Sequence, residues 1–353
     1  MINSGAILEI NTNNLLHNYF KLKKIANKSI IGVTIKANAY GLGDKKIYKL
    51  LYLNGCRNFF VATLNEAINL RRKYKYGNIY VLNGVDVKKI LFYSKQKIIP
   101  IINSIDEINI INKLVKSKVK IGIHLDTGIN RLGIKIKEIS KLNLKKFDIQ
   151  ILLSHLASSE EIANKYNNFQ NNLFKKTFIK FKNIKYKSLA NSMGIILGKK
   201  YHHDLIRPGI AIYGGHYNTK MKKYIKPVIK LKAKILQIKN LEKNEYVGYN
   251  QTFKTSKKTT VAILEIGYGD GIFRILSNKG YVYYKRTKFK IIGRISMDTL
   301  TIDITKKSKL IKKGMYLELI NYTHDIEKIA KQCNTISNEI LTSISDRVKR
   351  IYI

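Results

Sequence analysis

Lys36 lies in the segment Thr34-Ile35-Lys36-Ala37-Asn38-Ala39-Tyr40-Gly41, between an apolar run and a glycine-containing turn. Burial at such a junction disfavours the ammonium form, and a neutral lysine amine can form a Schiff base. One lysine among 66 basic residues says little by itself. Other groups able to do chemistry fall at comparable places. His124 and Arg131 stand at and just after a later apolar run, and His155, Asn191-Ser192 and Arg207-Pro208-Gly209-Ile210 follow three more. Taken singly, His155 is more often a hydrogen-bonded structural histidine, and Arg207 is as easily a rim ion pair. Tyr40 and Tyr249 are more often packing residues in a chain with 23 tyrosines. Lys36, His124, His155, Ser192 and Arg207 share a position: each stands at the end of, or just after, a run with the composition of a buried strand. Ser192 offers a hydroxyl, and Gly209 lets backbone approach a ligand closely, a pairing suited to phosphate.

The elements that must position these groups are short apolar runs at 30–35, 59–62, 79–82, 98–101, 119–125, 149–153, 186–189 and 204–207. Amphipathic segments such as 105–115 and 160–181 lie between them. Continuous apolar runs mark parallel strands buried on both faces. Eight of them with intervening helices, over about 200 residues, match a (β/α)8 TIM barrel. A doubly wound open sheet is the competing architecture, but Gly41-Leu42-Gly43 is not a complete G-x-G-x-x-G turn. In a barrel, chemistry sits at the C-terminal ends of the strands, with phosphate bound by the loops after strands seven and eight.

Beyond Pro227 the pattern becomes β-rich, with runs at 228–238, 260–266, 281–284, 289–295, 300–304 and 315–319, then helical stretches at 325–333 and 338–344. The expectation is an α/β chain. Residues 1–226 form a (β/α)8 barrel, residues 227–353 a mostly β domain, and residues 1–11 are available to pair with the second domain.

Charge and composition limit the function classes. The formal net charge is +43, but lysine is spread from end to end with no dense basic block. That favours solvated lysine surfaces over a specific nucleic-acid interface. Cys56 and Cys333 give neither metal-ligand spacing nor a disulfide framework, so no metal site is expected. No apolar run approaches the roughly 20 residues that span a bilayer, and residues 1–10 lack the pattern of a signal peptide. A cytoplasmic protein without membrane attachment is expected.

The segments, read in order, resemble the alanine racemase family. Ile35-Lys36-Ala37-Asn38-Ala39-Tyr40-Gly41 resembles its cofactor-lysine motif, and Leu125-Asp126-Thr127-Gly128-Ile129-Asn130-Arg131-Leu132-Gly133 a second signature. Ser154-His155-Leu156-Ala157, Ala190-Asn191-Ser192 and Ile206-Arg207-Pro208-Gly209-Ile210-Ala211-Ile212-Tyr213-Gly214 are similar to three more. The second domain adds Val247-Gly248-Tyr249-Asn250-Gln251-Thr252-Phe253, Ile266-Gly267-Tyr268-Gly269-Asp270-Gly271 and Gly293-Arg294-Ile295-Ser296-Met297-Asp298.

The resemblance implies a pyridoxal-phosphate-dependent isomerase that interconverts L- and D-alanine and supplies D-alanine for peptidoglycan. It implies a homodimer in which each active site joins one subunit's barrel to the other's β domain. Lys36 would hold the cofactor, Tyr40, Ser192, Gly209 and Ile210 its phosphate, and Arg207 its ring nitrogen, with His155 beside them. Lys36 and Tyr249 would be the two bases, while Arg131, Tyr268, Met297 and Asp298 would contact substrate. A tyrosine starts near pKa 10, so its phenolate needs neighbouring cations, and the family arrangement offers Arg131 and His155. Arg207 cannot pass a proton to the ring nitrogen as a carboxylic acid could.

Three positions depart from the family pattern. His124 stands where many members carry a lysine whose carbamate supports the arginine matching Arg131. A carboxylate, a water or a bound anion must then do that work. Asp346 replaces a tyrosine near the phosphate and is expected to turn away from it, and Asn250 replaces a glycine in a left-handed turn. The alternative reading is a serine or broad-specificity racemase of the same fold, and a more remote one is a basic nucleic-acid-binding protein.

Overall fold

The computed structural model describes residues 5–181 and 183–353, and Met1–Ser4, the start of the segment expected to pair with the second domain, lie outside the described residues with Lys182. The chain divides into two compact units. One contains Leu16–Ile212 and His216–Ile225; the other contains the residues up to Leu15, Tyr213–Gly215 and Lys226–Ile353.

The first unit is the (β/α)8 barrel. Its strands are Ile30–Thr34, Asn58–Val61, Asn78–Val81, Ile98–Ile102, Val119–Asp126, Phe147–Leu153, Tyr186–Ser188 and Leu205–Ile206. Successive strands pair in parallel, and the eighth pairs with the first through Leu205↔Ile30 and Ile206↔Ile31. The ring closes where Asp204 N donates to Lys187 O at 3.0 Å and Arg207 N to Ala190 O at 2.9 Å. The fourth strand, Ile-Ile-Pro-Ile-Ile, is buried at every position, as a strand covered on both faces must be. Phe60, Tyr80, Ile101, Ile151, Leu153 and Leu205 pack as one cluster.

Two differences in element extent have a clear local cause in the barrel. The helix expected over 160–181 runs only from Lys165 to Phe178, because Asn164 caps it by accepting from Tyr166 N at 2.9 Å. The eighth strand shrinks to two residues, since Pro208 has no N–H to extend the ladder.

The second unit is built on antiparallel pairing. Ile229–Leu241 begins with Ile229, Leu231, Ala233 and Ile235 buried and Lys230, Lys232 and Lys234 between them partly exposed. This period of two puts lysine on the solvent face. A ring of strands runs from Thr259–Leu264 through Leu300–Asp303, Thr287–Ile292, Tyr281–Tyr284 and Tyr316–Ile320 to Ile229–Leu241, which pairs again with the first. Ala6–Ile10 extends this sheet, antiparallel to Ile229–Leu241 and parallel to Lys349–Tyr352.

Candidate active site

Lys36 begins immediately beyond the first barrel strand. The four residues after it, Ala37, Asn38, Ala39 and Tyr40, have φ of 50°, 55°, 53° and 54°. They form one turn of left-handed helix, a conformation costing roughly 1–2 kcal/mol per residue outside glycine. Specific bonds hold it. Ala39 N donates to Ile35 O at 2.9 Å, Gly41 N to Ala37 O at 2.8 Å and Gly43 N to Asn38 O at 2.9 Å. Ala37 N donates to Glu66 Oε1 at 2.7 Å. The Lys36 amine is held below the usual lysine range, first by burial and then by Arg131, with Glu66 pulling the other way.

Arg207 is buried at the end of the eighth strand and has no carboxylate partner among the described residues. One Nη donates to Ser188 Oγ at 2.5 Å and the other to Ser154 O at 2.6 Å. Burial pulls its pKa down to about 10, so it stays cationic at neutral pH. Next to it the backbone folds into a cradle. Ser192 Oγ accepts from Gly209 N at 2.9 Å and from Ala211 N at 3.2 Å. The Ile210 amide between them has no partner among the described residues. A Cβ on Gly209 would sit 2.3 Å from Tyr40 Oη, so only glycine lets that tyrosine close the cradle.

Two histidines complete the barrel side. His155 Nε2 accepts from Asn191 Nδ2 at 3.4 Å, and its pKa is driven well below the ordinary value by burial, then Arg207, Arg131, His124 and Lys36. The expectation had His155 lend cationic help to a phenolate, and burial and these cations instead favour its neutral form. His124 pairs with Asn103 through Nδ1 and Oδ1 at 2.8 Å. The Asn103 amide nitrogen already donates to Leu82 O and Ile101 O. Its oxygen therefore faces the imidazole, and His124 Nδ1 carries the proton. Burial, then Arg207 and Arg131, lower the His124 pKa to about 4, and its Nε2 is buried without a partner. Arg131 is exposed and makes no ion pair among the described residues, so no carboxylate takes the place of the family carbamate. Asp126 is committed instead to its own loop, accepting from Gly128 N and Asn130 N.

The residues assigned to the second unit lie on turns. Tyr249, Tyr268 and Met297 are 65%, 44% and 52% exposed. The loop Gly293–Asp298 reaches both tyrosine turns. Tyr268 N donates to Ser296 O and Gly269 N to Met297 O, and a Cβ on Gly248, beside Tyr249, would meet Arg294 N at 2.7 Å. Asn250 has φ 57°, as its place in a left-handed turn requires. Arg347 joins Asp298 to buried Asp270, with contacts of 2.7 and 3.2 Å. Asp346 is turned to solvent, its nearest cation Arg350 at 3.8 Å.

Comparison with known proteins decides the family. Residues 10–217 match the model of the alanine racemase N-terminal domain, and residues 228–352 that of the C-terminal domain. The chain belongs to the alanine racemase family. The alanine racemase of Rickettsia akari is 42% identical over 356 residues, covering 98% of each chain, and that of Brucella abortus is 36% identical over 375 residues, covering 99% and 94%. The crystal structure of alanine racemase from Bartonella henselae, described with covalently bound pyridoxal phosphate, superposes with a TM-score of 0.94. It is 39% identical and covers 99% of this chain and all of that one.

Sequence reading missed several racemase-site neighbours. Ser154 and Ser188 anchor Arg207, Asn103 fixes the His124 tautomer, Arg347 ties down Asp298, and Glu66 bonds beside Lys36. Only Glu66 carried a usable signal: Thr63-Leu64-Asn65-Glu66 is a capping-box pattern.

Proposed function

We propose that this chain interconverts L- and D-alanine with pyridoxal phosphate, supplying D-alanine for peptidoglycan as a cytoplasmic homodimer. Residues 1–226, apart from the strand Ala6–Ile10 that pairs within the second unit's sheet, act as the cofactor-binding domain and 227–353 as the second domain. The observation that carries the reading is the grouping at one barrel rim of a lysine depressed by burial, a buried guanidinium and a cradle, the guanidinium with no carboxylate and the cradle with an unbonded amide among the described residues.

The residues present fit the cofactor. Ser192, Gly209, Ile210 and Tyr40 would hold its phosphate, Lys36 its aldehyde carbon, and Arg207 its ring nitrogen, with His155 alongside. Bound there, pyridoxal phosphate would withdraw electron density from the α-carbon of an attached amino acid. Lys36 Nζ takes or returns a proton at that carbon on one face, and burial and Arg131 favour its neutral, proton-accepting form. Tyr249 of the partner subunit serves the opposite face through its Oη. Arg131 binds the substrate carboxylate and favours the phenolate. Tyr268, Met297 and Asp298 of the partner subunit border the entrance. Arg207, charged and held by Ser188 and Ser154, would donate to the ring nitrogen without surrendering a proton.

The test is incubation of the purified protein with single enantiomers in deuterated water. L-alanine should yield D-alanine labelled at the α-carbon, and serine far less product. Equal turnover of a panel of amino acids would replace alanine with broad specificity, and no racemisation would end the proposal.

A further inference from the structure

We propose that Glu66 is a positioning residue of this site: its carboxylate clamps the left-handed turn after Lys36 to the end of the second barrel strand. The inference rests on the assignment of Lys36 above, but its geometry is independent of any cofactor.

Glu66 occupies the third position of helix Leu64–Lys73, and the capping box with Thr63 fixes its backbone there. Its two oxygens face different ways. Oε2 accepts from Ala62 N at 2.6 Å and Thr63 N at 3.2 Å, the amides just beyond the second strand. Oε1 crosses to the neighbouring strand's loop and accepts from Ala37 N at 2.7 Å. Ala37 is the first residue of the left-handed turn and is bonded to Lys36 itself. An ordinary capping box uses one carboxylate oxygen on the local backbone. Here the second oxygen is spent on a turn that has left the common backbone regions and gains from each bond holding it.

Glu107 offers an internal comparison. It sits in the capping box of helix Ile105–Leu114, accepting from Asn103 N and Ser104 N while its other oxygen accepts from Val85 N at 3.2 Å. The device recurs two strands further round the barrel. Only at Glu66 does the second oxygen meet the residue next to the lysine. The carboxylate has two consequences there. Its bond sets the direction in which the Lys36 side chain leaves the strand. Its charge opposes the effects of burial and Arg131 on the Lys36 amine.

The variants Glu66→Gln, Glu66→Asp and Thr63→Ala separate these effects. Gln can accept on one side only and turns an N–H toward a backbone N–H. Asp keeps the charge but cannot span both loops. Thr63→Ala weakens the helix cap and leaves the clamp. Two readouts are taken. In cofactor-free protein, the pH dependence of Lys36 reductive methylation is followed by mass spectrometry. In holoenzyme, kcat and KM for alanine are measured beside melting temperature.

Glu66→Gln should move the Lys36 midpoint to lower pH, and both Glu66 variants should lose roughly tenfold or more in kcat with little change in KM. Thr63→Ala should change only the melting temperature. The proposal is overturned if the Glu66 variants keep the wild-type midpoint and kcat, or lose no more than Thr63→Ala does at equal loss of melting temperature. If Glu66→Gln does not fold, Glu66→Asp decides on kcat alone. Borohydride reduction of wild-type holoenzyme tests the underlying assignment separately. Label on another lysine would refute the role of Lys36, while the methylation midpoint would still judge Glu66.

Discussion

The barrel and the β domain present their proposed site residues in opposite styles. On the barrel, Arg207, Ser192 and His124 are buried and each is held by a bond to a defined partner. On the β domain, Tyr249, Tyr268 and Met297 are exposed large side chains presented from turns. The barrel half is preorganised: burial lowers the pKa of Lys36, His155 and Arg207 before any ligand arrives. The β-domain half is not, because an exposed phenol on a turn is surrounded by water. The difference suits the proposed division of labour, with the cofactor held on the barrel and the second base supplied by a partner subunit.

The largest effects should come from breaking either half at its base. Lys36→Ala should reduce racemisation by on the order of 10⁴ and abolish borohydride-resistant cofactor attachment. Tyr249→Phe should cost on the order of 10² to 10³. It should also leave α-hydrogen exchange without inversion for one enantiomer only, since the face served by Lys36 is intact. Mixing sharpens the contrast. If each site joins one subunit's barrel to the other's β domain, unfolding and co-refolding the two inactive variants restores one good site in every mixed dimer. That is about a quarter of wild-type activity for random pairing in a two-fold dimer. No recovery would place both bases in the same subunit.

The same contrast explains what could be read from the sequence. Barrel strands were legible because burial on both faces leaves an unbroken apolar run, as at Ile98–Ile102. The second unit's strands were legible by alternation, with lysine marking the solvent side of Ile229–Leu241. Lys36 was legible by position at a strand end. Its left-handed turn was not, because Ala-Asn-Ala-Tyr has no glycine to announce four successive positive φ values. Nor was the neutrality of His155, which depends on burial and on cations brought from three other strands' ends. The pairing of His124 with Asn103 joins neighbouring strands across 21 residues, and no local pattern encodes it.

An intermediate effect is expected from acid. His124 and His203 both have pKa values lowered to about 4, and His155 lies well below the ordinary value. All three belong to the barrel unit, whereas His324 is the one lowered histidine among the described residues of the other. A lowered folded-state pKa means that the unfolded chain binds more protons between about 4 and the ordinary value near 6.5. Stability is therefore complete above pH 6.5 and is lost as pH falls toward 4. For His124 alone the loss is on the order of 3 kcal/mol. Hydrogen exchange at pH 7.5 and 5 should show barrel amides losing protection before those of the β domain. His124→Asn, which can still bond to Asn103, should flatten that dependence. Equal loss in both units would break the contrast.

The smallest effect should come from Arg347, where the β-domain half is tied down. Its guanidinium spans exposed Asp298 and buried Asp270, with Nη2 on the first and Nε on the second. The bond to exposed Asp298 is screened and weak, and buried Asp270 keeps its bond from Gly267 N at 2.9 Å, so Arg347→Ala should lower the melting temperature only modestly. Asp298 would then be free to rotate and, at the proposed substrate entrance, to meet the incoming amino acid in several orientations. The expected result is a rise of about three- to tenfold in KM for alanine, with kcat within about twofold, as for an interaction made equally in ground and transition states. Raising salt to about 0.5 M, where charges separated by more than a few ångströms are screened, should narrow the gap between variant and wild type. A fall in kcat instead would mean that Arg347 acts on the chemical step, and the β-domain half would then be more preorganised than its exposure suggests.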